Sequence, residues 1–248
     1  MHDDPTPIPS PTRAAAGWLP LAVRSTEPEL LDAGDVPPAE LRRNLADLAR
    51  LNRLPGGTRT SVTAIAAAAG GDRRGLRVLD VGTGAGDMPL AFADRGWSVV
   101  GVEPDAAVAA VARETTAPSR DVTIVEADGR ALPYEDGSFD VAHASLLLHH
   151  LDPSVAVSVL REMGRVARSG VVINDLRRGI LPLLATGVAV AILGRCRTTR
   201  HDGLLSVRRA YRLDELDELL VEAGLQVRGR TAPWMPRIVT IAAFRTDR

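Results

Sequence analysis

Three alternating glycines, Gly82, Gly84 and Gly86, stand in the segment DVGTGAGD that begins at Asp80. Glycines at this spacing let the backbone turn tightly and bring its N–H groups, and the start of a following helix, close to a ligand. Glu103 follows Gly82 by about 20 residues, the spacing at which a carboxylate accepts hydrogen bonds from both ribose hydroxyls of a nucleoside. The pattern predicts a nucleoside cofactor; a tight turn and a solvent-exposed acid are the structural alternatives.

The spacing of these glycines narrows the type of cofactor. Dinucleotide-binding loops read G-x-G-x-x-G, whereas this loop reads G-x-G-x-G and continues with Asp87. Asp80 would repel the two phosphates of a dinucleotide and would attract a ligand that carries ammonium and sulfonium groups. A nicotinamide-dependent oxidoreductase is therefore disfavoured.

Two adjacent histidines are the candidate catalytic residues. His149 and His150 lie in the run LLLHHL, directly after a predicted strand. An imidazole at the ligand edge of a sheet can remove a proton from a hydroxyl group or an acidic carbon. The alternative is that one imidazole caps the helix that begins near Pro153 while the other packs on the loop.

Further polar residues could border the same site. Asn174 and Asp175 end another predicted strand, where they could bind an acceptor, orient a histidine, or only terminate the strand. The triplet HDG at 201–203 could form a second polar wall or a plain turn. Four residues of an early helix could close the opposite side or simply be solvated: Arg42, Arg43, Asn52 and Arg53.

The candidate site residues can come together only if the strands that precede them end side by side. Short β-branched runs alternate with helical stretches, which is typical of parallel strands joined by crossover helices. The predicted strands are 77–81, 97–103, 121–126, 139–144 and 170–174, and the helices between them are 87–95, 105–115 and 153–168. Parallel strands share one carboxyl edge, so the glycine loop, Glu103 and the histidines are expected to converge there.

The flanking segments complete the predicted fold. Periodic apolar residues predict helices at 41–54 and 59–69 before the sheet, and a helix at 214–223 followed by strands at 225–230 and 238–245 after it. The fold class is α/β, with a doubly wound, seven-stranded, mostly parallel sheet and an antiparallel edge. We expect an N-terminal arm at 1–38, one domain at 39–248, and a lid or insertion at 176–210.

The segment 180–193 is apolar throughout, although Pro182 and Gly187 interrupt it. It is shorter than the roughly 20 residues that a membrane-spanning helix needs, so no membrane span is predicted. We expect it to cover an apolar or aromatic acceptor. A dimer interface and ordinary core are the alternatives, and a homodimer stays open.

Composition excludes several classes of function. The 30 Lys and Arg balance 31 Asp and Glu, so the chain has no basic field to hold nucleic acid. Cys196 is the only cysteine, which excludes an internal disulfide and a cysteine metal cluster; we expect it to be inert and no metal to bind. The start of the sequence lacks the pattern of a secretory signal, so the cytoplasm is the predicted location.

The sequence resembles the class I S-adenosylmethionine-dependent methyltransferases, in particular small-molecule enzymes with a ubiquinone/menaquinone-methyltransferase-like core. The motifs that carry the resemblance are VLDVGTGAG at 78–86, VGVEP at 100–104, and EADG followed by LPYEDGSFD between 126 and 140. The resemblance covers roughly 76–174 well and the remainder loosely.

The resemblance implies S-adenosylmethionine as cofactor and assigns roles to residues. The glycine loop lines the methionyl and ribose portion, Asp80 helps to hold the amino group, Glu103 binds the ribose and Asp128 the adenine amino group. The predicted cofactor site comprises Asp80, Gly82, Thr83, Gly84, Gly86, Glu103, Pro104, Ala127, Asp128, Gly129, Ala144 and Ser145.

We therefore expect methyl transfer to oxygen or carbon of an apolar small molecule, such as a phenolic, quinone-like or polyketide compound. One alternative keeps the fold and cofactor for a non-methylating reaction, such as a cyclisation or decarboxylation. Another is a non-catalytic binding protein, which the three acids Asp80, Glu103 and Asp128 argue against.

Overall fold

A computed structural model describes residues 21–31, 36–71, 74–232 and 235–244 of the chain. The helices are α1 (Pro38–Leu51), α2 (Thr58–Ala68), α3 (Asp87–Ala93), α4 (Ala106–Thr116), α5 (Pro153–Val166), α6 (Ile180–Leu193), α7 (Arg197–Arg209) and α8 (Leu213–Glu222). The strands are β1 (Arg77–Val81), β2 (Ser98–Glu103), β3 (Val122–Glu126), β4 (Phe139–Ser145), β5 (Ala167–Leu176), β6 (Leu225–Arg230) and β7 (Arg237–Phe244).

The seven strands form one sheet in the order β3-β2-β1-β4-β5-β7-β6. The first five strands are mutually parallel, and β7 runs antiparallel to both of its neighbours. The predicted fold class, including the antiparallel edge, is confirmed. Because β7 is antiparallel, its first residue lies at the carboxyl edge of the parallel strands, where Arg237 pairs with Leu176.

Helices cover both faces of the sheet. α2 and α3 pack on one face through a cluster that includes Ile65, Phe92 and Trp97, while α5 and α8 pack on the other through a cluster that includes Leu160 and Leu220. Side chains along a strand alternate between the faces. Strands β1, β2, β4, β5 and β7 therefore contribute to both clusters, and a polar residue within a strand must find its hydrogen-bond partners on the face to which it points.

Polar residues form a cluster on the α2–α3 face, at the carboxyl edge of the parallel strands. Strand residues on this face change from valine to polar along the chain direction. In β1, β4 and β5, the pairs Val78 and Asp80, Val141 and His143, and Val172 and Asn174 follow this order. The valines pack against α2 and α3. The polar residues lie nearer the carboxyl edge, where the glycine loop begins.

Helix α7 was not predicted, and the interpretation of 201–203 as a turn is wrong. These residues lie inside α7. Asp202 accepts hydrogen bonds from the N–H groups of Leu30 and Leu31, at 3.0 and 3.1 Å, instead of closing a turn. A Cβ at Gly203 would lie 2.7 Å from Val190 Cγ1, so this glycine allows α6 and α7 to approach closely.

Part of the predicted N-terminal arm packs against the domain. Residues 1–20 and 32–35 lie outside the described residues. Within 21–31, the Arg24 guanidinium donates to the carbonyl oxygens of His149 and Leu151, at 2.9 and 2.8 Å. The Ser25 N–H donates to the Arg208 carbonyl at 3.0 Å. The described part of the arm is thus a strap across α7 and the histidine turn.

Candidate functional site

The glycine loop joins β1 to α3 and contacts the end of β2. The N–H groups of Gly82 and Thr83 both donate to the Val102 carbonyl, and the Gly84 N–H donates to Glu103 Oε2 at 3.0 Å. Gly84 has φ +54°, and a Cβ built there would have no atom within 4 Å. Because Gly84 has no side chain, the space beside the loop stays open, and a ligand can approach the backbone closely there.

Gly86 serves a different purpose from Gly84. Its φ is +81°, and a Cβ would lie 2.7 Å from Thr116 Cγ2 and 3.3 Å from the Ala112 carbonyl oxygen. Gly86 therefore lets the start of α3 pack against α4. Gly86 does not line the cavity described below, so its predicted role in lining the cofactor stays a prediction.

A cavity of about 280 Å³ lies at the carboxyl ends of β1 and β2. It collects four of the predicted cofactor residues, Gly82, Pro104, Asp128 and Gly129, together with Arg130 and apolar side chains. The Asp128 carboxylate accepts hydrogen bonds from the Arg130 side chain, which holds the pKa of this carboxyl below its usual value. Asp128 thus meets the cavity as an ionised acceptor.

Glu103 is buried at the edge of the loop. Its oxygens accept hydrogen bonds from the N–H groups of Gly84 and Asp105, at 3.0 and 3.2 Å. Burial raises the pKa of the Glu103 carboxyl, and these hydrogen bonds only partly offset the effect. A ligand that donates hydroxyl hydrogens would stabilise the ionised form.

A buried hydrogen-bonded chain extends from Asp80 beneath the loop. Asn174 donates to Ser61 Oγ at 2.8 Å, Ser61 Oγ lies 2.8 Å from His143 Nε2, and His143 Nδ1 lies 2.6 Å from Asp80 Oδ1. An ionised Asp80 can only accept, so the imidazole donates from Nδ1 to Asp80; in that tautomer of the neutral ring, the Ser61 hydroxyl donates to Nε2. Thr83 donates to the other Asp80 oxygen at 2.7 Å.

Sequence reasoning missed His143 and Ser61. The available signal was the position of His143 in β4, where the two-residue alternation places it on the same face as Asp80 in the neighbouring strand. Ser61 gave no such signal, because its contact depends on how α2 crosses the sheet.

Arg237 is a third residue that sequence reasoning missed. Its buried guanidinium donates to Asn174 Oδ1, Asn52 Oδ1 and Ser145 Oγ, at 3.0, 2.7 and 2.8 Å. Burial lowers the pKa of Arg237 to about 10, against the attraction of Asp175 and Asp87. The antiparallel direction of β7 was the usable signal, since it brings the first residue of that strand to the ligand edge.

Asn52 links this arginine to the glycine loop. Its Nδ2 donates to Asp87 Oδ2 at 3.0 Å, and burial raises the pKa of the Asp87 carboxyl. Asn52 thus contacts the site from α1, whereas Arg43 and Arg53 are exposed and Arg42 pairs with Glu114 on the surface.

A second cavity, of about 370 Å³, lies on the other side of the end of β4. Leu146 lines it, while the next residue, Leu147, lines the smaller cavity. Leu146 has φ +53°, a strained value for a leucine. The large cavity is bounded by α1, α6, α7, the strap and the start of β7, and its lining is mainly apolar, with Leu48, Leu51, Leu54, Leu176, Val190 and Met235.

His149 and His150 both line this large cavity. The Nδ1 of His149 lies 2.6 Å from Asp175 Oδ1, and the His149 N–H donates to Oδ2 at 3.2 Å. Burial raises the pKa of Asp175, but the charge and hydrogen bond of His149 and the Leu176 N–H outweigh it, so the net pKa lies below its usual value. An ionised Asp175 accepts from Nδ1, so in the neutral form of His149 the accepting nitrogen is Nε2.

Glu29, from the strap, lies beside the two histidines. Its Oε1 accepts from Ser206 at 2.8 Å, and its Oε2 is 3.8 Å from His150 Nδ1. One side-chain ligand atom each of Glu29, His149 and His150 lies within 4.8 Å of the others. Within the described residues, this group is a candidate site for a metal ion. No sign of it is visible in the sequence, because Glu29 is far from the histidines along the chain.

Comparison with known proteins relates the sequence around this site to a protein family. A family described as "Methyltransferase domain" matches residues 78–170, the part that holds the glycine loop, Glu103, Asp128 and both histidines. The chain carries a methyltransferase domain. It is of class I, and S-adenosylmethionine is the cofactor that the family implies.

Curated relatives share this methyltransferase domain over part of their length. The chain is 41% identical over 104 residues to an uncharacterized methyltransferase of Mycolicibacterium gilvum, with 42% of this chain and 40% of the relative covered. It is 35% identical over 103 residues to demethylmenaquinone methyltransferase of Staphylococcus aureus, with 40% and 42% covered. The chain thus spans about two fifths of the curated relatives it matches.

A solved structure extends the likeness of fold beyond the matched segment. A SAM-dependent methyltransferase from Aquifex aeolicus superposes with a TM-score of 0.60 at 19% identity, covering 84% of this chain and 98% of that one. The likeness of fold therefore extends to the antiparallel edge of the sheet.

The cofactor cavity of the methyltransferase domain fits S-adenosylmethionine. The open space beside Gly84 and the buried acceptor at Glu103 suit a ribose, and the smaller cavity beside Asp128 suits an adenine. Ala144, Ala127 and Ser145, also predicted for the cofactor site, do not line this cavity: Ala144 is in the hydrophobic core, Ala127 packs against it, and Ser145 accepts from Arg237.

The segment 176–210, for which a lid is predicted, contains α6 and α7. Ala185, Thr186, Ala189 and Val190 of α6 line the large cavity. Cys196 caps the start of α7, where its sulfur accepts from the Thr199 N–H. Within the parts of the chain that the structure describes, no helix has the length and apolar character needed to cross a bilayer.

Proposed function

We propose that this protein transfers a methyl group from S-adenosylmethionine to oxygen or carbon of an apolar small molecule held in the large cavity, with His149 as the general base. The observation that carries the proposal is the His149–Asp175 pair on the wall of an apolar cavity, beside the strand end that also borders the cofactor cavity.

The lining of the large cavity supports an apolar acceptor. Leucine, alanine, proline, valine and methionine residues form most of its wall, and polar groups such as Asp202 and Ser206 lie near Glu29. Burial of apolar surface is worth roughly 25 cal/mol per Å², so a phenolic or quinone-like molecule would bind its ring there. The name of the Staphylococcus aureus relative, demethylmenaquinone methyltransferase, supports a quinone-like acceptor.

His149 is suited to remove the proton of the acceptor. S-adenosylmethionine, when bound, supplies a methyl group activated by a positively charged sulfur. The chain must align the acceptor, exclude water and take up the proton. Asp175 holds the imidazole by Nδ1, so Nε2 is the site that accepts a proton from the acceptor hydroxyl, and the adjacent carboxylate stabilises the imidazolium that forms.

A screen of acceptors tests this function. Candidate phenols, hydroquinones and polyketide-like molecules are incubated with the protein and S-adenosylmethionine, and the demethylated cofactor and the mass of any product are measured. A product heavier by one methylene unit, in equal amount to the demethylated cofactor, supports the proposal. Consumption of an acceptor without that cofactor product indicates a cyclisation or decarboxylation instead, and cofactor binding with no turnover of any acceptor indicates a binding protein.

Two variants test the base. Removal of a general base lowers the rate by about 10²- to 10⁴-fold, so we expect this loss in kcat for His149→Ala, with cofactor affinity unchanged. His201→Ala is the matched control, because that half-exposed histidine pairs with Asp202 on α7 and does not line either cavity. Unchanged turnover of His149→Ala would refute the base, and loss of activity in EDTA would assign the histidines to a metal instead.

A further inference from the structure

The outer face of α6 is an exposed apolar stripe. Ile180, Leu184, Val188 and Ile192 recur every four residues, the spacing that keeps side chains on one side of a helix, and they are 60–74% exposed. Leu181 beside them is 63% exposed. α6 therefore has two apolar sides, one towards the large cavity and one that no part of the described chain covers.

Basic side chains flank this stripe. Arg195, Arg197 and Arg200 are exposed at the far end of α6 and on α7, and Arg177 is half-buried just before α6. The sequence from 176 to 201 contains no Asp or Glu. Asp202, the one acid of α7, is buried and accepts from the strap. A chain with a formal net charge of −1 thus concentrates positive charge around its most exposed apolar surface.

We propose that the outer face of α6, with its flanking arginines, binds the surface of an anionic lipid bilayer. A helix that lies in the bilayer interface inserts apolar side chains below the headgroups while basic residues contact anionic lipids. The 14-residue length of α6 suits a helix that lies in the interface.

Charge favours lipid over a second copy of this chain. A two-fold contact along α6 would place Arg177 of one copy near Arg195 and Arg197 of the other if the helices were antiparallel, and would place like ends together if they were parallel. Either arrangement brings arginine towards arginine, and the segment offers no acid to compensate. Anionic headgroups supply the missing negative charge. The inference stands independently of methyl transfer.

Vesicle flotation with the whole protein tests the inference. The vesicles contain phosphatidylcholine alone or with about one third phosphatidylglycerol, an anionic fraction chosen so that Arg-rich surfaces bind. We expect binding to the anionic vesicles that weakens as salt is added, and little binding to the neutral ones. No binding to anionic vesicles at low salt, or equal binding to both kinds, would overturn the proposal.

Matched variants locate the contact. Leu184→Glu with Val188→Glu places two carboxylates in the stripe and should weaken binding at least tenfold, while circular dichroism stays unchanged because both side chains are exposed. Val221→Glu is the control, since Val221 on α8 is 72% exposed and lies outside the stripe. Equal loss in the control, or a concentration-dependent dimer that the double variant abolishes without any vesicle binding, would contradict a lipid contact.

Discussion

Among single side chains of the proposed cofactor site, we expect Glu103 to make ligand binding depend on pH. Its ionised form accepts hydrogen bonds, and burial raises its pKa above the usual glutamate value of 4.5. As pH falls through this raised pKa, the carboxylate is protonated and loses acceptor capacity. Stability has the opposite sign: because the acid pKa is raised in the folded protein, the contribution of Glu103 to stability is largest at low pH and is lost as pH rises.

We therefore expect the affinity for S-adenosylmethionine to fall as pH is lowered, with a midpoint above pH 4.5. Isothermal titration between pH 4 and 8, a range chosen to bracket the usual carboxyl values, measures it. Glu103→Gln should bind weakly at every pH and lack this midpoint. Asp87→Asn is the control, because Asp87 also has a raised pKa; if it alone removes the midpoint, Glu103 is not the titrating group.

Arg237 carries a second prediction at the residue scale. Replacement by Met leaves the oxygens of Asn52, Asn174 and Ser145 without their donor, and removes the positive charge near Asp87 and Asp175. Loss of one partner in a buried charged network costs about 3–5 kcal/mol. We expect the free energy of unfolding in urea to fall by that order.

Arg237→Lys separates charge from geometry in the same measurement. A lysine keeps the positive charge but lacks the planar fork that reaches three acceptors. It should recover only part of the lost stability. Full recovery by Lys would mean that charge alone matters, and an unchanged Arg237→Met would show that the network contributes nothing to folding.

At the scale of elements, the connection between α1 and α2 sets the position of Asn52. A Cβ at Gly57 would lie 1.9 Å from the Asn52 carbonyl oxygen, a distance that backbone atoms cannot tolerate. The Thr58 N–H and hydroxyl both donate to that same carbonyl, at 2.7 and 3.0 Å. The glycine therefore allows the chain to fold back on the end of α1 and hold Asn52 against Arg237.

Gly57→Ala should displace Asn52 and destabilise the protein by about 1–3 kcal/mol, the usual cost of forcing extra volume into a packed site. For a chain of this size, that corresponds to a melting temperature lower by roughly 2–12 °C. Gly229→Ala in β6 is the control, since its Cβ would meet only Ile241 at 3.8 Å. Similar melting temperatures for the two variants would refute the close contact.

On the scale of the whole molecule, we expect the cofactor cavity to bind its ligand whether or not the large cavity is occupied. The cofactor cavity lies over β1 and β2, and the large cavity lies among α1, α6, α7 and the strap. A ligand that binds only the folded state at 100 times its dissociation constant stabilises it by about 2.7 kcal/mol. The demethylated cofactor should therefore raise the melting temperature by roughly 5–10 °C.

Ala189→Phe tests the separation. Ala189 lines the large cavity, so a phenyl ring there should block the acceptor and abolish turnover while the cofactor still raises the melting temperature. Ala191→Phe is the control on the same helix, because Ala191 is exposed and lines neither cavity. A cofactor effect that disappears in Ala189→Phe would show that the cavities are coupled.

The sequence alone predicted most of the helices and strands, and the position of the glycine loop at the end of a strand. Strands β1 and β6 match their predicted bounds, and the glycine loop precedes Glu103 by the expected spacing. These features depend on local periodicity, on the permissive backbone of glycine and on the shared edge of parallel strands. All three act within or between neighbouring elements, so a linear pattern records them.

Only the tertiary structure decided which distant side chains complete the site. Ser61, His143 and Arg237 join residues that are far apart in the chain, and Glu29 reaches the histidines from the strap. Helix α7 escaped prediction because its polar face is buried against that strap, which hides the usual apolar period. Hydrogen bonds of this kind depend on how helices cross a sheet, and no local pattern of residues specifies that geometry.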